Sequence, residues 1–384
     1  MADPLFLGLI SGTSADGIDA ALVAFAGNPD ATSKPRVVAT ATTPYAPALR
    51  EGILALAHGG AAITLDELGR LDIEIGVAFA AAAQSLLAGA GIEPAAVRAI
   101  GSHGQTVRHR PQSSPPFTLQ LGDPATIAER TGIPTVADFR RADVAAGGEG
   151  APLLPALHAA VLADPIGTRA VLNLGGIANL TILAPGRDVI GFDTGPANGL
   201  LDAWIARHLD RPFDAEGAWA RSGRVDAHLL ARLLDDPYFS RPPPKSTGRE
   251  VFNLDWLDAR LPPGIAPADV QVTLLTLSAR SIARALCLQA PDVRDVLACG
   301  GGVHNVTLMD TLRAELALAF AGRNPPALAT TAGFGLDPDF VEAIGFAWLA
   351  RSRLAGTPGN LPSVTGARGS RVLGAIHAAP PVGA

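Results

Sequence analysis

Between two apolar runs, residues 5–10 and 18–25, the chain carries Ser11, Gly12, Thr13, Ser14, Ala15, Asp16 and Gly17. A loop of such small residues gathers backbone N–H groups and hydroxyls around one point, which is what a phosphate needs. No Gly-Lys-Ser/Thr follows and no helix is signalled after it, so this is a strand–loop–strand hairpin and not a Walker loop. Farther along, Asp193 ends a strand-like run just before a helix-like one. A carboxylate there caps the helix or, because strand ends in α/β folds face the ligand crevice, acts as a base. Gly300, Gly301 and Gly302 follow another strand-like run. They either connect it to a helix or leave room for a planar base or ribose against the backbone. His103 and Gln105 are polar groups of a loop or of a binding site. Asp16 bonds its own loop or helps place magnesium, and Lys245 and Arg249 read as a solvated charged face.

These residues need elements to hold them. Residues 65–87 read as a helix and 97–100 as a short buried strand, with 101–106 as its loop. Asp123 and Pro124 signal a helix start, and 134–137 is strand-like. After the flexible stretch 147–152 the opening pattern returns: strand 170–174, a Gly-rich turn at 175–179, strand 180–183. Two such hairpins, one per half, fit a duplicated nucleotide fold. Helices are expected at 198–209, with Pro196 in the first turn, at 269–289 and at 340–354, and a strand at 371–373 that crosses back to the first half.

A chain of 384 residues, 48% hydrophobic, is long for one core, so two domains are expected. A net charge of −6 gives no reason to expect nucleic acid or an anionic membrane. The two cysteines support neither a disulfide framework nor a metal site, which suits a reducing compartment. No signal-peptide pattern opens the sequence. Residues 75–92 carry no charge, but their Ala and Gly content fits a buried helix better than a membrane span.

Taken in order, Ser-Gly-Thr-Ser-Ala-Asp-Gly-Ile-Asp (11–19), Gly-Ser-His-Gly-Gln-Thr (101–106), Asn-Leu-Gly-Gly-Ile-Ala-Asn (173–179), Phe-Asp-Thr-Gly-Pro (192–196), Lys-Ser-Thr-Gly-Arg-Glu (245–250) and Cys-Gly-Gly-Gly-Val-His-Asn (299–305) form a recognisable set. Spread over nearly the whole chain, it resembles the bacterial anhydro-N-acetylmuramic acid kinases, in the superfamily of acetate and sugar kinases, actin-fold chaperones and actin.

The resemblance implies an α/β chain of two actin-like, duplicated ribonuclease H-like domains with an active-site cleft between them. Residues 1–145 plus 366–384 would form the first and 146–365 the second, with hinges near 147–152 and 356–366 and an open form without ligand. It implies ATP and Mg2+, and a cytoplasmic reaction in cell-wall recycling. ATP, water and 1,6-anhydro-N-acetylmuramic acid would give N-acetylmuramic acid 6-phosphate and ADP. Because the leaving 6-oxygen takes the phosphoryl group, one base suffices where an inverting glycosidase needs two carboxylates. By resemblance that base is Asp193, and Gly12, Thr13, Ser14, Ala15, Asp16, Gly17, Ile18 and Asp19 form the ATP loop. Asp16 or Asp19 would help place magnesium. Gly175 and Gly176 would hold phosphates, Gly300, Gly301 and Gly302 the adenosine, and His103, Gln105 and Glu342 the sugar and its lactyl group. Arg140, Arg141 and Arg249 are sources of a basic contact for the lactyl carboxylate. Glu149 departs from the expected Gln and adds negative charge near the inferred crevice. The partner is a small molecule, with no nucleic acid or membrane; the oligomeric state is not readable, a homodimer remaining open. A levoglucosan kinase, or a nucleotide-dependent binding protein without turnover, is the alternative. Retention of Asp193 argues against the second.

Overall fold

The computed structural model describes residues 3–12, 14–26, 35–58 and 63–381. In chain order the strands are β1 (Leu5–Ser11), β2 (Gly17–Ala24), β3 (Arg36–Pro44), β4 (Val97–Arg110), β5 (Phe117–Leu121), β6 (Thr135–Ala137), β7 (Thr168–Leu174), β8 (Ile177–Leu183), β9 (Ile190–Pro196), β10 (Val293–Cys299), β11 (Ala327–Thr330) and β12 (Ala375–His377). Among the described residues they form a seven-stranded and a five-stranded sheet. The first runs β3-β2-β1-β4-β6-β12, with β5 on β4; the second runs β9-β8-β7-β10-β11. In each, the leading strand pairs antiparallel with its hairpin partner and parallel with a later strand, β1 with β4 and β7 with β10. The echo between the two Gly-rich hairpins is therefore a repeat of a whole sheet topology, and the α/β, duplicated actin-like class is the one observed.

The chain divides into a first unit, Met1–Val161 with Phe334–Ala384, and a second, Leu162–Gly333. The sequence reading drew these borders elsewhere, at 145/146 and 365/366. The Val341–Ala355 helix explains the difference, because it packs on β1, β4 and β2 of the first unit. Its Ala343 and Phe346 carbonyls occupy the places where side chains on Gly8 and Gly101 would stand. The suggested hinges are also bound to one another within that unit. Buried Asp143 accepts from Gly150 N–H (2.7 Å), Asn360 Nδ2 (2.6 Å) and Thr365 Oγ1 (2.8 Å).

The Leu65–Ala90 helix starts at a capping box made by Thr64 and Glu67 and stops at Gly91 in the left-handed conformation. It is long and apolar enough to cross a membrane. Its Ile75, Phe79, Ala83 and Leu86 instead lie in the first unit's core with Leu7, Leu9, Ile18 and Leu22. The second core gathers Leu172, Leu180, Trp204, Leu274 and Ile282.

Three local expectations change. Residues 101–106 continue β4 instead of leaving it as a loop. Pro196 ends β9, and the helix begins two residues later at Asn198. The returning strand lies at 375–377, antiparallel to β6, and not at 371–373.

Candidate active site

In the first unit the hairpin expected to hold phosphate is the β1–β2 turn. Thr13 lies outside the described residues. Gly12 O accepts from Ala15 N–H (3.1 Å) and from Gln105 Nε2 (3.1 Å). Ala15 is in the left-handed region (φ 50°), and Arg50 braces it from outside: Nε donates to Ala15 O (3.1 Å) while Nη2 pairs with Asp16 (3.0 Å). Ala15 and Ile18 have buried core side chains, so only their peptide groups remain to serve a nucleotide. Asp16 is already paired with a cation and is largely exposed. It does not fit the metal role given to it. Asp19 fits better. Thr42, opposite it on β3, donates to its Oδ1 (2.6 Å). Burial raises the Asp19 carboxyl above its usual range against that hydrogen bond, and the nearby charge of Asp339 raises it further. A divalent cation would relieve that repulsion.

Gln105 and His103, expected at the sugar, are both buried and bonded within the first unit. Gln105 is 0% exposed and its amide holds the hairpin through Gly12. Its Oε1 and the Ser102 hydroxyl are buried without a partner among the described residues, sites that ordered water or a ligand fills. His103 is 6% exposed, lies 4.6 Å from the Phe346 ring, and is bonded through both nitrogens. Arg140 Nε donates to Nε2 (3.0 Å), so the proton sits on Nδ1, which donates to Gly104 O (2.9 Å). Burial, then the charge of Arg140, holds the imidazole well below its ordinary pKa. Arg140 also donates to Gly150 O (2.7 Å). Burial lowers its pKa to about 10, opposed by the carboxylates of Glu342 and Asp143. Glu342 keeps solvent access. Surrounding protein raises its carboxyl, Arg140 opposes the rise, and Asp19 adds to it. Arg140 and Glu342 thus face each other electrostatically, with His103 behind the arginine. Arg141 is engaged by Asp138 (3.4 Å), and Glu149 by Gln112 (2.9 Å).

In the second unit Asp193 lies within β9, five residues before the next helix begins at Asn198. Its Oδ2 accepts from Thr247 N–H (2.9 Å), its own N–H donates to Lys245 O (3.0 Å), and Tyr238 OH donates to its carbonyl (2.7 Å). The 245–247 segment therefore runs beside β9 and fixes the carboxylate. Lys245 is buried, contrary to the solvated face expected. Its Nζ lies over the Tyr238 ring (4.6 Å) and donates to Tyr238 O (3.1 Å), and burial lowers its pKa.

Gly175 and Gly176 form the β7–β8 turn. Their carbonyls accept from Ala197, Asn198 and Gly199 N–H at 3.0–3.1 Å. A trans peptide places C=O and N–H on opposite sides, so Gly176 N–H is turned away from that helix start. The Gly300–Gly302 turn lies directly on this hairpin. Gly300 is left-handed (φ 81°), and a Cβ on Gly302 would stand 2.6 Å from Leu174 Cβ and 3.0 Å from Asn198 Nδ2. Two motifs more than a hundred residues apart in the chain thus meet in one place. Sequence reasoning missed Arg50 and Tyr238 and gave Thr247, inside a quoted motif, no role, since nothing local shows a partner that lies dozens of positions away.

The profile of the family described as anhydro-N-acetylmuramic acid kinase matches residues 4–379. The chain is 57% identical over 377 residues to the anhydro-N-acetylmuramic acid kinase of Xanthomonas axonopodis pv. citri, covering 98% of each chain. It is 50% identical to that of Chromohalobacter salexigens, covering 98% of this chain and all of the other. Among solved structures it is similar to an activator of 2-hydroxyisocaproyl-CoA dehydratase from Clostridium difficile, at TM-score 0.44 and 11% identity over 92% of this chain and 96% of that one.

Proposed function

The chain belongs to the anhydro-N-acetylmuramic acid kinase family, and on that premise we propose that it uses ATP and water to convert 1,6-anhydro-N-acetylmuramic acid into N-acetylmuramic acid 6-phosphate and ADP. The observation that carries this reading is the held carboxylate of Asp193, on the same sheet as the Gly175–Gly176 turn and beside the segment that fixes it.

Asp193 takes a proton from a water molecule whose oxygen bonds the anomeric carbon. The bond from that carbon to the bridging 6-oxygen breaks, its electron pair remaining on the oxygen. That oxygen attacks the γ-phosphorus, and the bond to the β-bridging oxygen breaks to release ADP. Asp193 then loses its proton to solvent. The Thr247 N–H holds Oδ2 of that carboxylate in place. Phosphoryl transfer depends on positioning and charge neutralisation, and the peptide groups of Gly12, Ser14, Ala15, Gly17 and Gly176 are the candidates to hold the phosphates, with Gly300–Gly302 for the adenosine.

Magnesium, when bound, would neutralise phosphate charge, and Asp19 would help hold it. Arg140, fixed by His103 and Gly150, meets the lactyl carboxylate, while Glu342 accepts from sugar hydroxyl or amide groups. His103 and Gln105 then act behind the substrate. ATP use and a role in muropeptide recycling support a cytoplasmic reaction.

The test is coupled ADP release with 1,6-anhydro-N-acetylmuramic acid and with levoglucosan, for wild type and Asp193→Asn. Turnover on the muramic sugar, lost in the variant, is the expected result. Turnover on levoglucosan alone would replace the substrate and keep the mechanism, and no ADP from either sugar would remove the kinase reading.

A further inference from the structure

Arg249 lies on the second unit's phosphate turn. A Cβ added to Gly176 would stand 3.0 Å from its Nη2 and 3.1 Å from its Nε, and one on Gly199 would stand 3.2 Å from Nε. The guanidinium therefore occupies the space that side chains at both positions would fill. The residue is exposed, and among the described residues it has no hydrogen bond or ion pair. An arginine with its donors unspent, seated against a Gly-rich turn, is suited to receive an oxyanion.

Its place in the unit says which one. From Thr247, whose N–H meets Asp193 Oδ2, the chain runs two residues on to Arg249, whose guanidinium reaches Gly176. Past that turn, Leu174 and Asn198 carry the Gly300–Gly302 turn. The cation thus stands between the base and the glycines suited to adenosine. A nucleotide with its base at those glycines sends its phosphates past Gly176 towards Asp193, so the phosphate at Arg249 is the terminal one.

We propose that Arg249 grips the γ-phosphoryl group of ATP and neutralises the charge that spreads over its oxygens during transfer. This rests on the kinase reading above. It removes Arg249 from the arginines available to the lactyl carboxylate. The bonds made and broken are those of the phosphoryl transfer already written; Arg249 donates N–H hydrogen bonds and transfers no proton.

The experiment compares Arg249→Ala and Arg249→Lys with wild type in equilibrium binding of ADP and of a nonhydrolysable ATP analogue, both with Mg2+, and in turnover. The expected result is triphosphate affinity about tenfold weaker for Arg249→Ala, with ADP affinity unchanged. Its kcat falls by about 10²-fold or more, the KM for the sugar hardly moves, and added guanidinium ion restores part of kcat. Arg249→Lys, which keeps a charge without the planar fork, falls between. Equal weakening of both nucleotides, no weakening, or a rise confined to the sugar KM would overturn the assignment. Wild-type binding of the triphosphate analogue without turnover on either sugar would instead sink the kinase reading while the nucleotide contrast still decides Arg249.

Discussion

Arg140 Nε and His103 Nε2 are 3.0 Å apart, and a guanidinium can only donate, so this contact fixes the imidazole as the neutral Nδ1–H tautomer. The histidine thereby serves as a rigid acceptor that aims an arginine, and it has no proton to exchange in the physiological range. Its ring nitrogens should keep the neutral NMR signature from pH 8 down to pH 5.5. Protonation with a midpoint near 6.5 in that titration would mean the contact is not made. Substituting His103→Ala should raise the KM for the muramic sugar about tenfold, the scale of one charge-assisted contact, with a smaller change in kcat.

Asp193→Asn should lower kcat by about 10³-fold, the range of a general base, while ATP-analogue binding stays within about twofold of wild type. Thr247→Pro, which removes the N–H that holds Oδ2, should lower kcat by about tenfold. An unchanged kcat would mean that Thr247 only shapes the loop.

Asp16 and Asp19 should separate in the magnesium dependence of turnover. Asp19→Asn is expected to raise the Mg2+ concentration for half-maximal rate by about tenfold, and Asp16→Asn to leave it nearly unchanged, because Asp16 is already paired with Arg50. The reverse order would return the metal role to Asp16.

Asp143→Ala would leave three donors, from Gly150, Asn360 and Thr365, without their acceptor inside the first unit. The expected loss is about 3 kcal/mol or more, read from the midpoint of urea unfolding. Asp143→Asn retains one acceptor oxygen and should lose less.

Buried His158 has its pKa pushed down to about 3 by desolvation, from an ordinary 6.5. Below pH 6.5 the unfolded chain binds a proton there that the folded chain refuses, so stability falls as pH drops from 6.5 towards 3, by up to ~1.4 kcal/mol per pH unit from this group. A His158→Leu variant should show a shallower decline across that window in denaturant titrations. An unchanged slope would assign acid sensitivity to other groups, with His103 and His109 the next to test.

Local chemistry in the sequence was enough to mark the two Gly-rich hairpins, because small residues between apolar runs leave a chain few other ways to turn. It also marked the Asp123 cap, since Asp123 Oδ2 accepts from a backbone N–H three residues on, and the Asn198–Leu209 helix. The duplicated sheet followed from the repeat of the hairpin. Motif order identified the family, and by resemblance it pointed to Asp193 as the base.

Tertiary structure decided the rest. The Val341–Ala355 helix belongs to the first unit because Gly8 and Gly101 lack side chains where its backbone sits, a fit invisible in the helix's own sequence. Lys245 and Arg249 look alike in a charged stretch; one is buried over Tyr238, and the other stands exposed at Gly176. His103 and Gln105 read as loop polar groups in the sequence; in the fold both His103 nitrogens are bonded, one of them to Arg140, while Gln105 spends its amide N–H on Gly12 and keeps Oε1 unpartnered among the described residues. A residue's type limits what it can bond. What it does bond is set by partners dozens or hundreds of positions away, which only the folded chain brings within about 3 Å.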